Sequence, residues 1–125
     1  MDLPDSIEYC LSKEAADEST PFGPEVLAYK VAGKIFALTN PSDVPSRINL
    51  KCNPGYAVEL REEYEAITPG YHMNKKHWNT VTLNDSVPSV LIRELIDLSY
   101  RLVVASLPKS KQPQGNEPPP FSNPK

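Results

Sequence analysis

The residues of widest chemical range in this chain lie in ten consecutive positions, Tyr71-His72-Met73-Asn74-Lys75-Lys76-His77-Trp78-Asn79-Thr80. The segment holds both histidines, the only tryptophan, a lysine pair and two asparagines, and it follows the turn signal Thr68-Pro69-Gly70. Such a set suits acid–base chemistry through imidazole, metal ligation, or recognition of an anionic polymer by lysine charge, amide hydrogen bonds and aromatic stacking. A catalytic triad needs a nucleophile joined to histidine and a carboxylate. The chain has no GxSxG elbow and no catalytic-cysteine signature. It has no P-loop and no dinucleotide glycine fingerprint. His72 and His77 are five apart, which is not the i, i+4 spacing of a helical zinc pair. The expectation is a non-enzymatic protein with no cofactor and no resident metal.

Recognition of a polyanion depends on where cations are placed rather than on their total. The formal net charge is -3, but its distribution is uneven. Residues 1–25 set Lys13 alone against Asp2, Asp5, Glu8, Glu14, Asp17, Glu18 and Glu25. Residues 57–66 set Arg61 against Glu59, Glu62, Glu63 and Glu65, which reads as the solvated face of a helix. Cations gather instead in residues 26–56 and at Lys75-Lys76. The candidate nucleic-acid contacts are therefore Lys30, Lys34, Arg47, Asn49, Lys51, His72, Asn74, Lys75, Lys76 and His77. Tyr71 or Trp78 could stack on a base, but a lone tryptophan is more often a core anchor. The expectation is that Trp78 and Val81 anchor a strand, with Asn74, Lys75, Lys76 and His72 left facing outward. Double-stranded DNA is the first partner this suggests, and a protein partner is the alternative, favoured by the acidic balance. A third reading is a metal-binding acidic ridge of Asp2, Asp5, Glu8 and Glu14.

The elements that must position these groups follow from side-chain period. At 125 residues the chain is one domain, long enough for a core without staples. Residues 3–13 carry Leu3, Ile7, Cys10 and Leu11 at helical spacing, with Pro4 in the first turn. Glu14 to Pro24 reads as a loop. Residues 26–31 and 34–39 read as strands joined by a tight turn at Ala32-Gly33. Residues 47–52 alternate, with Ile48, Leu50 and Cys52 on one face and Arg47, Asn49 and Lys51 on the other. Residues 54–65 return to helical period, residues 78–83 read as a strand, and residues 88–106 form the strongest helix. Residues 108–125 hold six of the fourteen prolines and one large apolar residue, Phe121, and read as a disordered tail. Residues 1–107 are then the domain and 108–125 the tail.

Successive strands with short links, flanked by helices, predict an α+β two-layer fold with an antiparallel β-sheet and the N- and C-terminal helices packed on one face. Cys10 and Cys52 fall at apolar positions and are expected to be buried and reduced. No apolar run approaches a bilayer span, and the acidic N-terminus starts no signal pattern. A cytoplasmic monomer with no membrane contact is expected.

Several runs carry a resemblance: Pro21-Phe22-Gly23-Pro24, Tyr29-Lys30-Val31, Gly33-Lys34-Ile35-Phe36-Ala37-Leu38, Ile48-Asn49-Leu50-Lys51-Cys52, Thr68 through Val81, Ser99-Tyr100 and Leu102-Val103. In order and spacing, over about residues 3–108, they resemble the MmcQ/YjbR-like family of bacterial proteins. The resemblance implies a small CyaY/YjbR-like α+β scaffold, akin to frataxin. It also implies DNA binding through a double wing of hairpins. On this sequence the implied wing and surface residues are Lys30, Lys34, Asn49, Lys51, His72, Asn74, Lys75, Lys76 and His77. The acidic N-terminal region is similar to the iron-binding ridge of frataxin, although the MmcQ/YjbR-like family is not an iron-binding one.

Overall fold

The computed structural model describes residues 1–70 and 73–113. Helix α1, Leu3–Leu11, is capped by Asp2, whose Oδ1 accepts the Asp5 N–H at 2.9 Å. Strands β1, Ala16–Ser19, β2, Leu27–Val31, β3, Lys34–Thr39, and β4, Arg47–Lys51, follow. Helix α2 spans Pro54–Glu63, β5 Ile67–Pro69, β6 Trp78–Thr82 and α3 Ser89–Ala105. A short 3-10 turn, Lys109–Lys111, comes last.

The sheet has six strands in the order β1-β2-β3-β4-β6-β5, with every neighbouring pair antiparallel. The α+β architecture is the expected one, but three local expectations are corrected. Strand β1 falls within Glu14–Pro24, expected as loop. It is an edge strand whose Asp17 and Glu18 are both exposed, so no apolar alternation marks it. Strand β5 includes Thr68 and Pro69, expected as part of a turn. Proline is tolerated there because an edge strand leaves one side of its backbone without a partner. Residues 109–111, expected as disordered tail, form the 3-10 turn; the expected tail beyond residue 113 lies outside the described residues.

All three helices lie on one face of the sheet. Helix α3 packs its apolar stripe on β3 and β4, α1 lies against α3 and β1, and α2 covers β5 and β6. The core face of the sheet carries Tyr29, Val31, Phe36, Ala37, Ile48, Leu50, Ile67 and Val81. Buried Asn79 shares it, and its Nδ2 donates to the Ala57 carbonyl of α2 at 3.3 Å. Cys10 and Cys52 are buried free thiols. Burial pushes Cys10 up to about 12 and Cys52 up to about 11. No helix among the described residues is long and apolar enough to cross a membrane.

One irregularity sets the position of Lys51. Tyr29 faces Ala37 but Lys30 faces Ile35, so Phe36 is an extra residue in β3. The bulge puts Phe36 and Ala37 both on the core side, where Phe36 meets the Tyr100 ring edge-on at 5.3 Å. Beyond the Ala37–Leu50 pair the β3–β4 ladder stops. The buried Ser99 hydroxyl of α3 fills the gap. It accepts the Lys51 N–H at 2.9 Å and donates to the Phe36 carbonyl at 2.6 Å.

Candidate nucleic-acid interface

Antiparallel pairing brings the candidate lysines to one end of the sheet. Strand β2 ends at Val31 opposite Lys34, and β4 ends at Lys51 opposite Trp78. The β2–β3 turn and the 70–77 connection between β5 and β6 therefore point the same way. Lys30, Lys34, Lys51, Lys75, Lys76 and His77 all lie at this end. From β2 to β6 is three strand spacings, roughly 15 Å.

The two hairpins are built differently. Ala32 and Gly33 take φ of 50° and 81°, so both central positions of the two-residue turn are left-handed, as a type I′ turn requires. This places Lys34 exposed at the start of β3. In the longer connection, Asn74 Oδ1 accepts the Lys76 N–H at 2.9 Å and the Asn74 carbonyl accepts the His77 N–H at 3.1 Å. The Cys52 N–H then donates to the His77 carbonyl at 2.7 Å, tying the base of this hairpin to the end of β4. Lys75 and Lys76 are exposed at its tip.

Not every candidate joins this group. Arg47 lies at the opposite end of the sheet and pairs with Asp43 at 3.5 Å. Asn49 is on the open face but occupied, with Nδ2 donating to the Leu38 carbonyl at 3.3 Å and Oδ1 accepting from Thr80 at 2.5 Å. The Asn74 side chain shapes the hairpin that carries the lysines. Lys30 faces Asp17 across the β1–β2 pair, which offsets its charge. His72, and Tyr71 with it, lie outside the described residues.

Trp78 reverses its expectation. It does not pack into the core with Val81. Val81 faces Ile48 and Ile67 on the core side, whereas Trp78 pairs with Lys51 on the open face and is partly exposed. Residues three apart in a strand point to opposite faces, so the alternation itself held the signal. The space beside Trp78 exists because its neighbour is glycine. A Cβ on Gly70 would lie 3.0 Å from Trp78 Cβ.

Charge is segregated along the strand direction. At the basic end, among the described strand ends and turns, the carboxylates are Glu14 and Asp17, both at the β1 edge. The opposite end carries Glu25, Asp43, Glu65 and Asp85 in its connections and Glu63 at the end of α2. Glu59, Glu62, Glu63 and Glu65 are exposed, as a solvated face requires. Among the described residues, no group of three or more His, Cys, Asp or Glu is placed to hold a metal ion, and Asp2 is engaged as a helix cap.

Comparison with known proteins places this geometry in a group. The YjbR family model matches residues 11–102. The uncharacterized protein YbdF of Escherichia coli O157:H7 is 44% identical over 92 residues, covering 74% of this chain and 75% of its own. The uncharacterized protein YjbR of Escherichia coli K12 is 32% identical over 112 residues, covering 90% and 95%. Among solved structures, Deinococcus radiodurans protein DR2400, with a DUF419 domain, superposes with a TM-score of 0.83 at 38% identity, covering 88% of this chain and 84% of its own. A Pseudomonas syringae protein superposes with a TM-score of 0.71 at 30% identity, covering 82% and 98%.

Proposed function

The chain belongs to the YjbR family, and on that premise we propose that it is a non-enzymatic module binding double-stranded DNA through the basic end of its sheet. The observation that carries the reading is the convergence of Lys34, Lys51, Lys75 and Lys76 on one end, on two hairpins and a strand terminus between them. Duplex DNA carries a charge about every 1.7 Å along its axis, so a rim roughly 15 Å across meets several phosphates. Phosphate contacts from such cations set position and carry no sequence information. The module would therefore show little sequence preference at this rim. The acidic opposite end would be repelled, orienting the domain on the duplex.

The test is fluorescence anisotropy with a labelled duplex from 50 to 200 mM salt. Four phosphate contacts predict a log–log slope of about -3.6 and an affinity loss on the order of 10²-fold across that range. Lys75→Ala combined with Lys76→Ala should halve the slope to about -1.8. Absence of duplex binding at 50 mM salt, or an unchanged slope in the double variant, refutes the reading.

A further inference from the structure

The helices leave one face of the sheet uncovered, and its side chains are ordered into rungs. On β4 and β6 the open-face pairs are Lys51 with Trp78, Asn49 with Thr80, and Arg47 with Thr82. Thr68 of β5 extends the middle rung beside Thr80. A groove of about 550 Å³ lies here, floored in part by Leu38 and walled by Asn49, Thr68, Thr80, Thr82 and Arg47. Arg47 and Asp43 line one end of this groove, while Lys51 and Trp78 form the next rung beyond its other end. Three residues of β4 separate Arg47 from Lys51, a span of roughly 13 Å.

We infer that this face binds single-stranded nucleic acid, with the Lys51–Trp78 rung as a cationic stacking platform and the threonine-walled groove that begins on the next rung taking the strand on toward Arg47. The inference rests on the reading that the basic end takes nucleic acid, and it adds a second surface with a different preference. A duplex hides the faces of its bases inside the stack, and its phosphates would reach only the hairpin rim. An unpaired base offers a π-face, and an aromatic ring beside a cation on the rung next to a polar groove suits it. Asn49 is engaged by Leu38 and Thr80 and holds the middle rung in place, so contacts to sugar and base-edge atoms fall to the threonine hydroxyls of the groove wall, Thr68, Thr80 and Thr82. Asp43, paired with Arg47 at 3.5 Å, keeps that end from being strongly cationic, so the strand enters from the Lys51 end.

Trp78 is the only tryptophan, so its emission reports on this face alone. The full chain is titrated with a twelve-nucleotide dT strand, the matching rU strand and a twelve-base-pair duplex at 50 mM salt. Either single strand should quench Trp78 saturably, and the ratio of the two affinities tells DNA from RNA. Trp78→Ala should weaken single-strand binding by about 5- to 100-fold, and Trp78→Tyr, which keeps a ring, should restore most of it. Single strands that bind without quenching, or bind Trp78→Ala as tightly as the parent, overturn the inference. So does duplex binding with no single-strand binding, which leaves the duplex reading standing. Failure of every oligonucleotide to bind brings down both.

Discussion

Replacing Ser99 by alanine tests whether the hydroxyl that bridges α3 to the sheet positions the basic end. Ser99 is fully buried, and its Oγ serves two backbone groups separated by the bulge, the Lys51 N–H at 2.9 Å and the Phe36 carbonyl at 2.6 Å. Alanine leaves one donor and one acceptor unpaired in the interior. Each orphan costs about 1–3 kcal/mol, and the hydroxyl's own desolvation is recovered, so the net loss is about 2–4 kcal/mol. With a urea slope of about 1–3 kcal/mol per molar, the unfolding midpoint should fall by about 1–2 M. Unfolding is followed by Trp78 emission and by circular dichroism. Amide exchange at Lys51 should accelerate with it, because that N–H has lost its acceptor. The control is Ser106→Ala, which removes an exposed hydroxyl that donates to the Val103 carbonyl at 2.6 Å. That change should stay within about 0.5 kcal/mol. If Ser99→Ala costs no more than Ser106→Ala, the bridging role is wrong.

Two other perturbations test neighbouring parts of the structure. Gly70→Ala puts a Cβ 3.0 Å from Trp78 Cβ and 3.3 Å from its carbonyl oxygen. It should cost about 1–3 kcal/mol and shift the tryptophan emission, whereas unchanged stability and spectrum would mean that the open-face packing is misassigned. Cys10 and Cys52, held up at about 12 and about 11 by burial, should resist iodoacetamide at pH 8 until urea unfolds the chain. Because the folded thiols keep their protons longer than the unfolded ones, stability is full below about pH 8.5. It should fall between pH 9 and 10 by up to about 1.4 kcal/mol per thiol per pH unit, and a flat urea midpoint across that window would contradict the assignment.

Strong periodicity makes most of this architecture legible in the sequence. The alternation from Arg47 to Cys52 marks a strand with one buried face, and the apolar stripe of α3 marks a helix that covers a sheet. Ala32-Gly33 marks the hairpin. The two edge strands lacked such a signal. Strand β1 has a neighbour on one side only and carries exposed Asp17 and Glu18, and β5 is three residues long and ends in proline. At Trp78 residue type and strand phase disagree. Residue type argued for the core, but its phase relative to Val81 puts it on the opposite face.

The candidate site divides along the same line. Composition and local spacing alone determined that cations cluster in a few segments of an acidic chain, and that Lys34 and Lys75-Lys76 flank turns. Such properties depend on neighbours in the sequence. Strand order decided that β4 and β6 lie side by side, so that Lys51 and Trp78 share a rung and both hairpins point the same way. It also decided that Arg47 sits at the far end beside Asp43, and that Asn49 is taken up by Leu38 and Thr80. Those outcomes depend on partners far away along the chain, chosen by the packing of a whole sheet under three helices. A hydrogen bond or a rung exists only once both of its members have been brought together.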